Sequence, residues 1–178
     1  MSMNFRKKIL VLLCLTVLLI MWLCFANSII TYLFVPIDNR VQKANLNEIP
    51  QKDEVIIAIK EDTYLSDTWD SYRIAGGAFC ETDEAHPNRK IQLVLKSDKR
   101  TYIIPASNAI RVDVYYEFEG TKKMPDGNVG FESEFSTLNI ASGIYELYIH
   151  VWENDNAYGI TNSGYLYIKD KNGFRKLE

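Results

Sequence analysis

The sequence contains few of the residue types from which catalytic and metal sites are usually built. It has two histidines and three cysteines in 178 residues. Neither histidine stands with a serine or cysteine in a nucleophile motif, and the patterns G-x-S-x-G, H-E-x-x-H and the P-loop do not occur. The acidic residues are scattered, as on a solvated surface. The sequence therefore predicts a protein that is not an enzyme and carries no cofactor.

Charge is also nearly balanced, with a formal net charge of -3. The chain lacks the basic field that nucleic-acid binding requires. Oxygen ligands occur at Asp83 with Glu84 and again in the stretch 126–128, but a calcium loop needs about six or more oxygens in a tight pattern. Asp126 and Gly127 are typical of a turn. We expect neither a nucleic-acid partner nor a bound metal.

Cysteine is too scarce for an intradomain disulfide. Cys14 and Cys24 lie in an apolar N-terminal stretch, which leaves Cys80 alone in the rest of the chain. We interpret Cys80 as a small apolar strand residue rather than a nucleophile. The chain has no Asn-x-Ser/Thr sequon and is rich in Ile, Lys and Asn. This composition favours a protein of a bacterial cell envelope.

No charged side chain occurs between Lys8 and Asp38. A helix rises about 1.5 Å per residue and a bilayer core is about 30 Å thick, so about 20 apolar residues can cross it. Within lipid the backbone must bond to itself, which favours a helix. The sequence therefore predicts a single transmembrane helix over residues 9–35 that anchors the remaining chain to the membrane.

The basic residues Arg6, Lys7 and Lys8 predict the orientation of this helix. Clustered Lys and Arg beside a span tend to stay in the cytoplasm, so residues 1–8 are expected inside and the C-terminal domain outside. Cys24 and Ala26 also fit a signal-peptidase site, which leaves a cleaved signal peptide as an alternative. The apolar run exceeds the usual length of about 7 to 15 residues, which favours an uncleaved anchor. Both interpretations place the domain outside the cytoplasm.

After residue 35 the pattern changes twice. Residues 36–52 are polar and contain two prolines, which is typical of a juxtamembrane linker. Residues 53–178 consist of short segments rich in Val, Ile, Tyr and Phe between turn residues. The predicted strands are 55–60, 72–81, 91–96, 101–104, 130–135, 144–153 and 164–169. Residues 107–119 fit either a strand or a helix, and we favour a short helical turn because Ile110, Val114 and Phe118 have helical spacing. Gly76 and Gly77 indicate a bulge or a close backbone approach. This spacing predicts an all-β domain, a β-sandwich of about seven strands.

Several segments in this domain follow one another in a familiar order. They are Ile74-Ala-Gly-Gly-Ala-Phe79, Lys90-Ile-Gln-Leu-Val-Leu95, Arg111-Val-Asp-Val114, Gly130-Phe131 and Ser142-Gly-Ile-Tyr-Glu-Leu147. The order resembles that of bacterial immunoglobulin-like modules of extracellular and cell-envelope proteins, including modules associated with surface polysaccharides. The resemblance implies an immunoglobulin-like sandwich with a helical turn near Arg111, and it implies no catalytic residues.

Aromatic residues mark a candidate binding surface. In the strand 144–153 the odd residues are apolar and should face the core, so the even residues face outward. In the last strand we expect Leu166 and Ile168 to face inward. If the two strands pair through a loop at 154–163, Tyr165 lies opposite Tyr148. The outward face then presents Tyr148, His150, Trp152, Tyr165 and Tyr167.

Exposed aromatic clusters often mark binding surfaces, and flat rings stack well on sugars. A structural explanation stays open, because aromatic residues also suit strands and stabilise sheets by pairing across them. Trp69, in the loop 67–70, is a second candidate ligand-binding residue. The predicted function is recognition of cell-surface glycan by a membrane-anchored module. The alternative is a protein-interaction subunit of a membrane or envelope complex.

Overall fold

The computed structural model of the chain describes residues 3–44, 52–65, 70–82, 89–125 and 129–177. It begins with one long helix, α1, which spans Met3–Phe34. The segment Lys7–Ala26 is long and apolar enough to cross a membrane, and a signal sequence would meet the same criterion. The helix predicted over residues 9–35 is present and ends one residue earlier, at Phe34. Pro36 follows its end, because proline disfavours helical geometry in the residue before it.

The rest of the described chain is mostly antiparallel β-sheet. Its elements are β1 (Gln42–Ala44), β2 (Val55–Leu65), β3 (Ser71–Cys80), β4 (Lys90–Lys96), β5 (Thr101–Ala109), α2 (Val112–Phe118), β6 (Gly130–Ser136), β7 (Gly143–Asn154), β8 (Ala157–Asp170) and β9 (Gly173–Lys176). The strand order is β2-β3-β6-β5-β4-β7-β8-β9, with β1 beside β5. The predicted all-β class with one short helix is confirmed. The described strands number nine and belong to a single sheet, so the predicted immunoglobulin-like sandwich of about seven strands is not confirmed.

The sheet curls into a nearly closed barrel. Strand β5 turns one corner, since residues 101–106 pair with β4 and residues 107–109 pair with β6. Across the opening, the Asp53 N–H donates to the Tyr158 carbonyl at 2.9 Å. Gly159 permits this approach, because a Cβ there would overlap the Asp53 carbonyl oxygen. One end of β2 is thereby joined to β8.

Two strands and one tight turn differ from the sequence prediction. The segment interpreted as a linker contains β1, which pairs Gln42 with Ile103. Strand β9 contains a single large apolar residue, Phe174, and so gives little strand signal. Strand β8 begins at Ala157, and the loop predicted at 154–163 is reduced to a turn after Asn154.

The barrel interior is filled by large side chains from most of the strands. The largest fully buried ones in this core are Tyr102, Tyr145, Tyr167, Phe131, Phe135, Phe174, Ile74, Leu93, Leu95, Ile104 and Leu147. The rings of Tyr167 and Phe174 stack with centroids 5.2 Å apart. In β4 the predicted inward residues Ile91, Leu93 and Leu95 are all buried. A core of this size does not depend on a disulfide.

Helix α2 forms a second layer on the outer face of β2 and β3. Its buried residue Val114 lies directly over Gly77, where a Cβ would overlap the Val114 Cγ1 atom. The ring of Phe118 packs edge-on against Phe79 with centroids 5.6 Å apart. The predicted helical turn and the predicted close approach at the glycine pair are both confirmed.

A buried ion pair closes the barrel end where β3 and β7 finish. Arg89 Nε lies 3.0 Å from Glu153 Oε1 and 2.9 Å from Oε2, and Arg89 Nη1 donates to the Gly130 carbonyl at 3.3 Å. Cys80 is buried at the same end, and burial raises the pKa of its thiol to about 12. Its interpretation as a small apolar strand residue is therefore confirmed.

Candidate functional site

Strand β7 presents alternate side chains to the two faces of the sheet. Tyr145, Leu147, Ile149 and Val151 are buried in the core, as predicted. Tyr148, His150 and Trp152 lie on the opposite face and form the outer strip. The strand pairs with β4 on one side and β8 on the other, which fixes its pleat. The predicted alternation of this strand is confirmed.

The two rings of the outer strip are half-buried and held by polar neighbours. Tyr148 OH donates to Glu146 Oε2 at 2.7 Å, and this hydrogen bond raises the pKa of Tyr148. Lys96 Nζ lies 5.6 Å from the centroid of the Tyr148 ring, and Lys90 Nζ lies 5.6 Å from that of Trp152. Such contacts are cation–π interactions. Each ring is therefore oriented and has a lysine ammonium beside it.

His150 lies between the two rings along the strand and is only 9% exposed. Its Nδ1 is 3.4 Å from Gln92 Oε1, and its buried Nε2 has no hydrogen-bond partner among the residues that the structure describes. Burial lowers the pKa of the imidazole, because the charged form is poorly solvated there. At neutral pH, His150 is therefore uncharged and contributes shape rather than charge to the strip.

For β8, the last long strand, the predicted assignment of side chains to the core is wrong. Tyr167 is 0% exposed, whereas Leu166 is 42% exposed. Tyr167 can be buried because its hydroxyl donates to Asp62 Oδ2 at 2.8 Å inside the barrel. Tyr165 packs partly against the same core, and Lys176 Nζ lies 3.6 Å from its ring centroid. Neither tyrosine belongs to the outer strip.

The pairing expected across this hairpin also differs. Glu146 pairs with Leu166, but Tyr148 pairs with Asn162, because a bulge in β8 shifts the register between them. Gly164 lies within the bulge and has a φ of 79°, a conformation that favours glycine. Asn162, not Tyr165, is therefore opposite Tyr148, and its Nδ2 lies 3.5 Å from Glu146 Oε2.

The remaining sequence candidates fall in parts of the chain that the structure does not describe. Trp69 lies within 66–69, and His86, Asp83 and Glu84 lie within 83–88. The stretch 126–128 is likewise outside the described residues. Within the described ranges, no group of three His, Cys, Asp or Glu side chains is placed to hold a metal ion.

A cleft of about 730 Å³ adjoins the outer strip where the β4–β5 turn meets the start of β7. Its lining residues are Lys96, Ser97, Asp98, Lys99, Arg100, Ser142, Gly143, Ile144, Tyr145, Glu146 and Leu166. The lining combines the turn with the exposed apolar side chains of Ile144 and Leu166. The sequence indicated the turn but not the cleft, because its walls come from distant parts of the chain.

The cationic side of the cleft is open to a ligand. The exposed Lys99 has no hydrogen-bond or ion-pair partner within the described part of the chain. The Arg100 side chain interacts with the Tyr145 hydroxyl at the cleft floor.

Among known proteins nothing similar was found: no family model, curated protein or solved structure matches the chain. The arrangement of aromatic rings, ammonium groups and amides suits binding by stacking and hydrogen bonds.

Proposed function

We propose that this protein is a non-catalytic binding module, anchored in a bacterial cell membrane, that recognises cell-surface glycan. In this proposal α1 is an uncleaved single-pass anchor and the barrel-like domain lies outside the cytoplasm. The apolar segment Lys7–Ala26 supports the anchor, and the basic residues before it support the orientation. The likeness to immunoglobulin-like envelope modules favours the same assignment.

The outer strip is the observation that carries the proposal. Its two rings, Tyr148 and Trp152, project from the same face of one strand about 13 Å apart, given about 3.3 Å per residue. Pairing of rings within the sheet does not account for Tyr148, because its cross-strand neighbours are Val94 and Asn162. Rings with amides and ammonium groups beside them supply the stacking surface and hydrogen-bond donors that a sugar requires.

The proposed role is binding rather than catalysis. His150 is the one histidine in the strip, and its buried, uncharged ring offers no exposed general base. The nearest carboxylate, Glu146, accepts a hydrogen bond from Tyr148. Both groups are therefore engaged in holding the surface rather than poised for proton transfer.

Replacing one strip ring tests the proposal. The full-length protein in detergent micelles is titrated with purified envelope polysaccharide, and Tyr148→Ala is compared with Tyr116→Ala. Tyr116 is the matched control, since it lies on α2 and is 68% exposed. We expect Tyr148→Ala to weaken binding by about tenfold, or about 1.4 kcal/mol, and Tyr116→Ala to leave it unchanged. Equal affinity of wild type and both variants would contradict the proposal.

A second candidate function is docking onto a protein of a membrane or envelope complex. Ile110, Val112 and Tyr116 are exposed apolar residues on and beside α2, and helical spacing puts Val112 and Tyr116 on one side of the helix, away from Val114. Such patches are typical of protein interfaces. Crosslinking in intact cells tests this candidate. Loss of a crosslinked protein in Tyr116→Ala, but not in Tyr148→Ala, would favour the docking function over glycan binding.

A further inference from the structure

The outer strip and the cleft lie in line on one face of β7. The even residues of the strand run from Trp152 through His150 and Tyr148 to Glu146 and Ile144, a distance of about 26 Å at about 3.3 Å per residue. Glu146 belongs to both surfaces, because it accepts a hydrogen bond from Tyr148 and also lines the cleft. These five even residues of β7 form a track along the strand. A ligand that contacts both ends of the track must therefore be an extended chain.

Basic side chains lie beside the track and in the adjoining cleft. Lys90 lies beside Trp152 and Lys96 beside Tyr148, and Lys99 and Arg100 lie in the cleft wall. The carboxylates that line the cleft are those of Asp98 and Glu146. The Glu146 carboxylate already accepts the Tyr148 hydroxyl, and the Asn162 amide lies near it. The surface therefore has an excess of positive charge available to a ligand.

The cleft combines this charge with an apolar wall. Ile144 and Leu166 expose large aliphatic side chains in the same cleft as the turn that carries Lys99 and Arg100. A sugar ring that bears a carboxylate has the complementary surfaces, a face of C–H groups and an anionic edge. Guanidinium and ammonium groups bind carboxylates through charge-assisted hydrogen bonds.

We infer that the ligand is an acidic polysaccharide, whose sugars carry carboxylates, bound in extended form along β7 with one acidic sugar in the cleft. This inference rests on the proposed glycan-binding function and adds the chemical class of the glycan. An acidic peptide fits the surface less well. Extended peptides bind by adding a strand to an exposed sheet edge, and β7 is already paired on both sides. A glycan, in contrast, contacts ring faces and side chains and requires no free backbone edge.

Two polymers that differ only in charge test the inference. The full-length protein in detergent micelles is titrated with polygalacturonate and with the same polymer after chemical reduction of its carboxylates to alcohols. Polyglutamate serves as the acidic peptide. The variants are Lys99→Gln, alone and with Arg100→Gln, and the control is Lys122→Gln with Lys123→Gln. The control removes the same charge beside α2, outside the cleft.

We expect wild type to bind polygalacturonate more tightly than the reduced polymer or polyglutamate. Lys99→Gln should weaken polygalacturonate binding by about tenfold, the effect of one lost charge-assisted hydrogen bond, and the double cleft variant should weaken it further. The control should bind as wild type does. Because Lys99 is exposed and unpaired within the described chain, its replacement should leave the melting temperature unchanged.

The outcomes separate failure of this inference from failure of the proposed function. If polygalacturonate and its reduced form bind equally, and the cleft variants have no effect, the inference that the glycan is acidic is overturned. The proposed glycan-binding function is then left intact. Tighter binding of polyglutamate would overturn the inference in favour of an acidic peptide. If polygalacturonate and purified envelope polysaccharide both fail to bind, the inference and the proposed function are both wrong.

Discussion

Burial of the His150 ring makes the stability of the folded protein depend on pH. Its pKa in the folded protein lies below the ordinary value of 6.5, because the ring is buried. The cross-strand neighbours of His150 are the uncharged Gln92 on β4 and Ile160 on β8. As the pH falls below about 6.5, the unfolded chain binds a proton at this histidine more readily than the folded chain does. Acid must therefore lower the free energy of unfolding through this residue.

The prediction is that His150→Phe flattens the pH dependence of stability between pH 7.5 and the folded-state pKa. The contribution of His150 is constant above about pH 6.5, decreases below it, and levels off once the folded form is also protonated. Denaturant unfolding of the full-length protein at several pH values, followed by tryptophan fluorescence, provides the measurement. Identical pH profiles of wild type and variant would show that the imidazole titrates normally in the folded state.

At the scale of elements, the sequence predicts which side chains face the core for β7 but not for β8. Strand β7 was predicted correctly because its odd residues from Tyr145 to Val151 are all apolar, whereas its even residues include Glu146 and His150. Strand β8 was not, because Leu166 appears more apolar than Tyr167. The tyrosine is nevertheless buried, since its hydroxyl donates to Asp62, which lies 105 residues away along the chain. Only the folded barrel brings this acceptor to the strand, so local pattern alone could not have assigned the inward face.

Paired leucine truncations on these two strands test the assignment of faces. Leu147→Ala removes a side chain that is 0% exposed and should cost about 2 to 5 kcal/mol, as large-to-small changes in a core do. Leu166→Ala removes an outward side chain and should cost less than about 1 kcal/mol. Free energies of unfolding of the two variants provide the measurement. A cost for Leu166→Ala as large as that for Leu147→Ala would show that Leu166 is in the core.

The contact between α2 and β3 makes a second prediction at this scale. A methyl group at Gly77 would overlap the Val114 side chain, so Gly77→Ala should destabilise the domain by about 1 to 3 kcal/mol, as overpacking does. Val114→Ala in the same chain should recover part of that loss, because it removes the overlapping atoms. A double-mutant cycle measures the coupling between the two sites. Additive effects of the two substitutions would mean that α2 does not pack over Gly77.

At the scale of the whole molecule, the sequence predicted the long helix, most of the strands and α2, because each has a strong local pattern. It did not predict the barrel closure or the cleft, because both depend on contacts between distant segments. The hydrogen bond from Asp53 to Tyr158 is of this kind, as is the shared lining of the cleft by Arg100 and Leu166. The short strands β1 and β9 were missed for the opposite reason, since they have too few apolar residues to show a period.

The proposed topology of the whole chain yields the last prediction. If α1 is an uncleaved anchor, a reporter fused after Glu178 should be active only outside the cytoplasm, and a tag placed before Arg6 should stay on the same polypeptide. The reason is the basic cluster Arg6, Lys7 and Lys8 ahead of a span without charge. Replacing all three with Glu should reduce the outside population, while the same number of Lys-to-Glu changes in the domain should not.

Reporter activity in the cytoplasm would contradict the orientation. Loss of the N-terminal tag from the mature protein would show instead that the segment is a cleaved signal, in which case the domain is released and a membrane anchor has no part in how it meets its ligand.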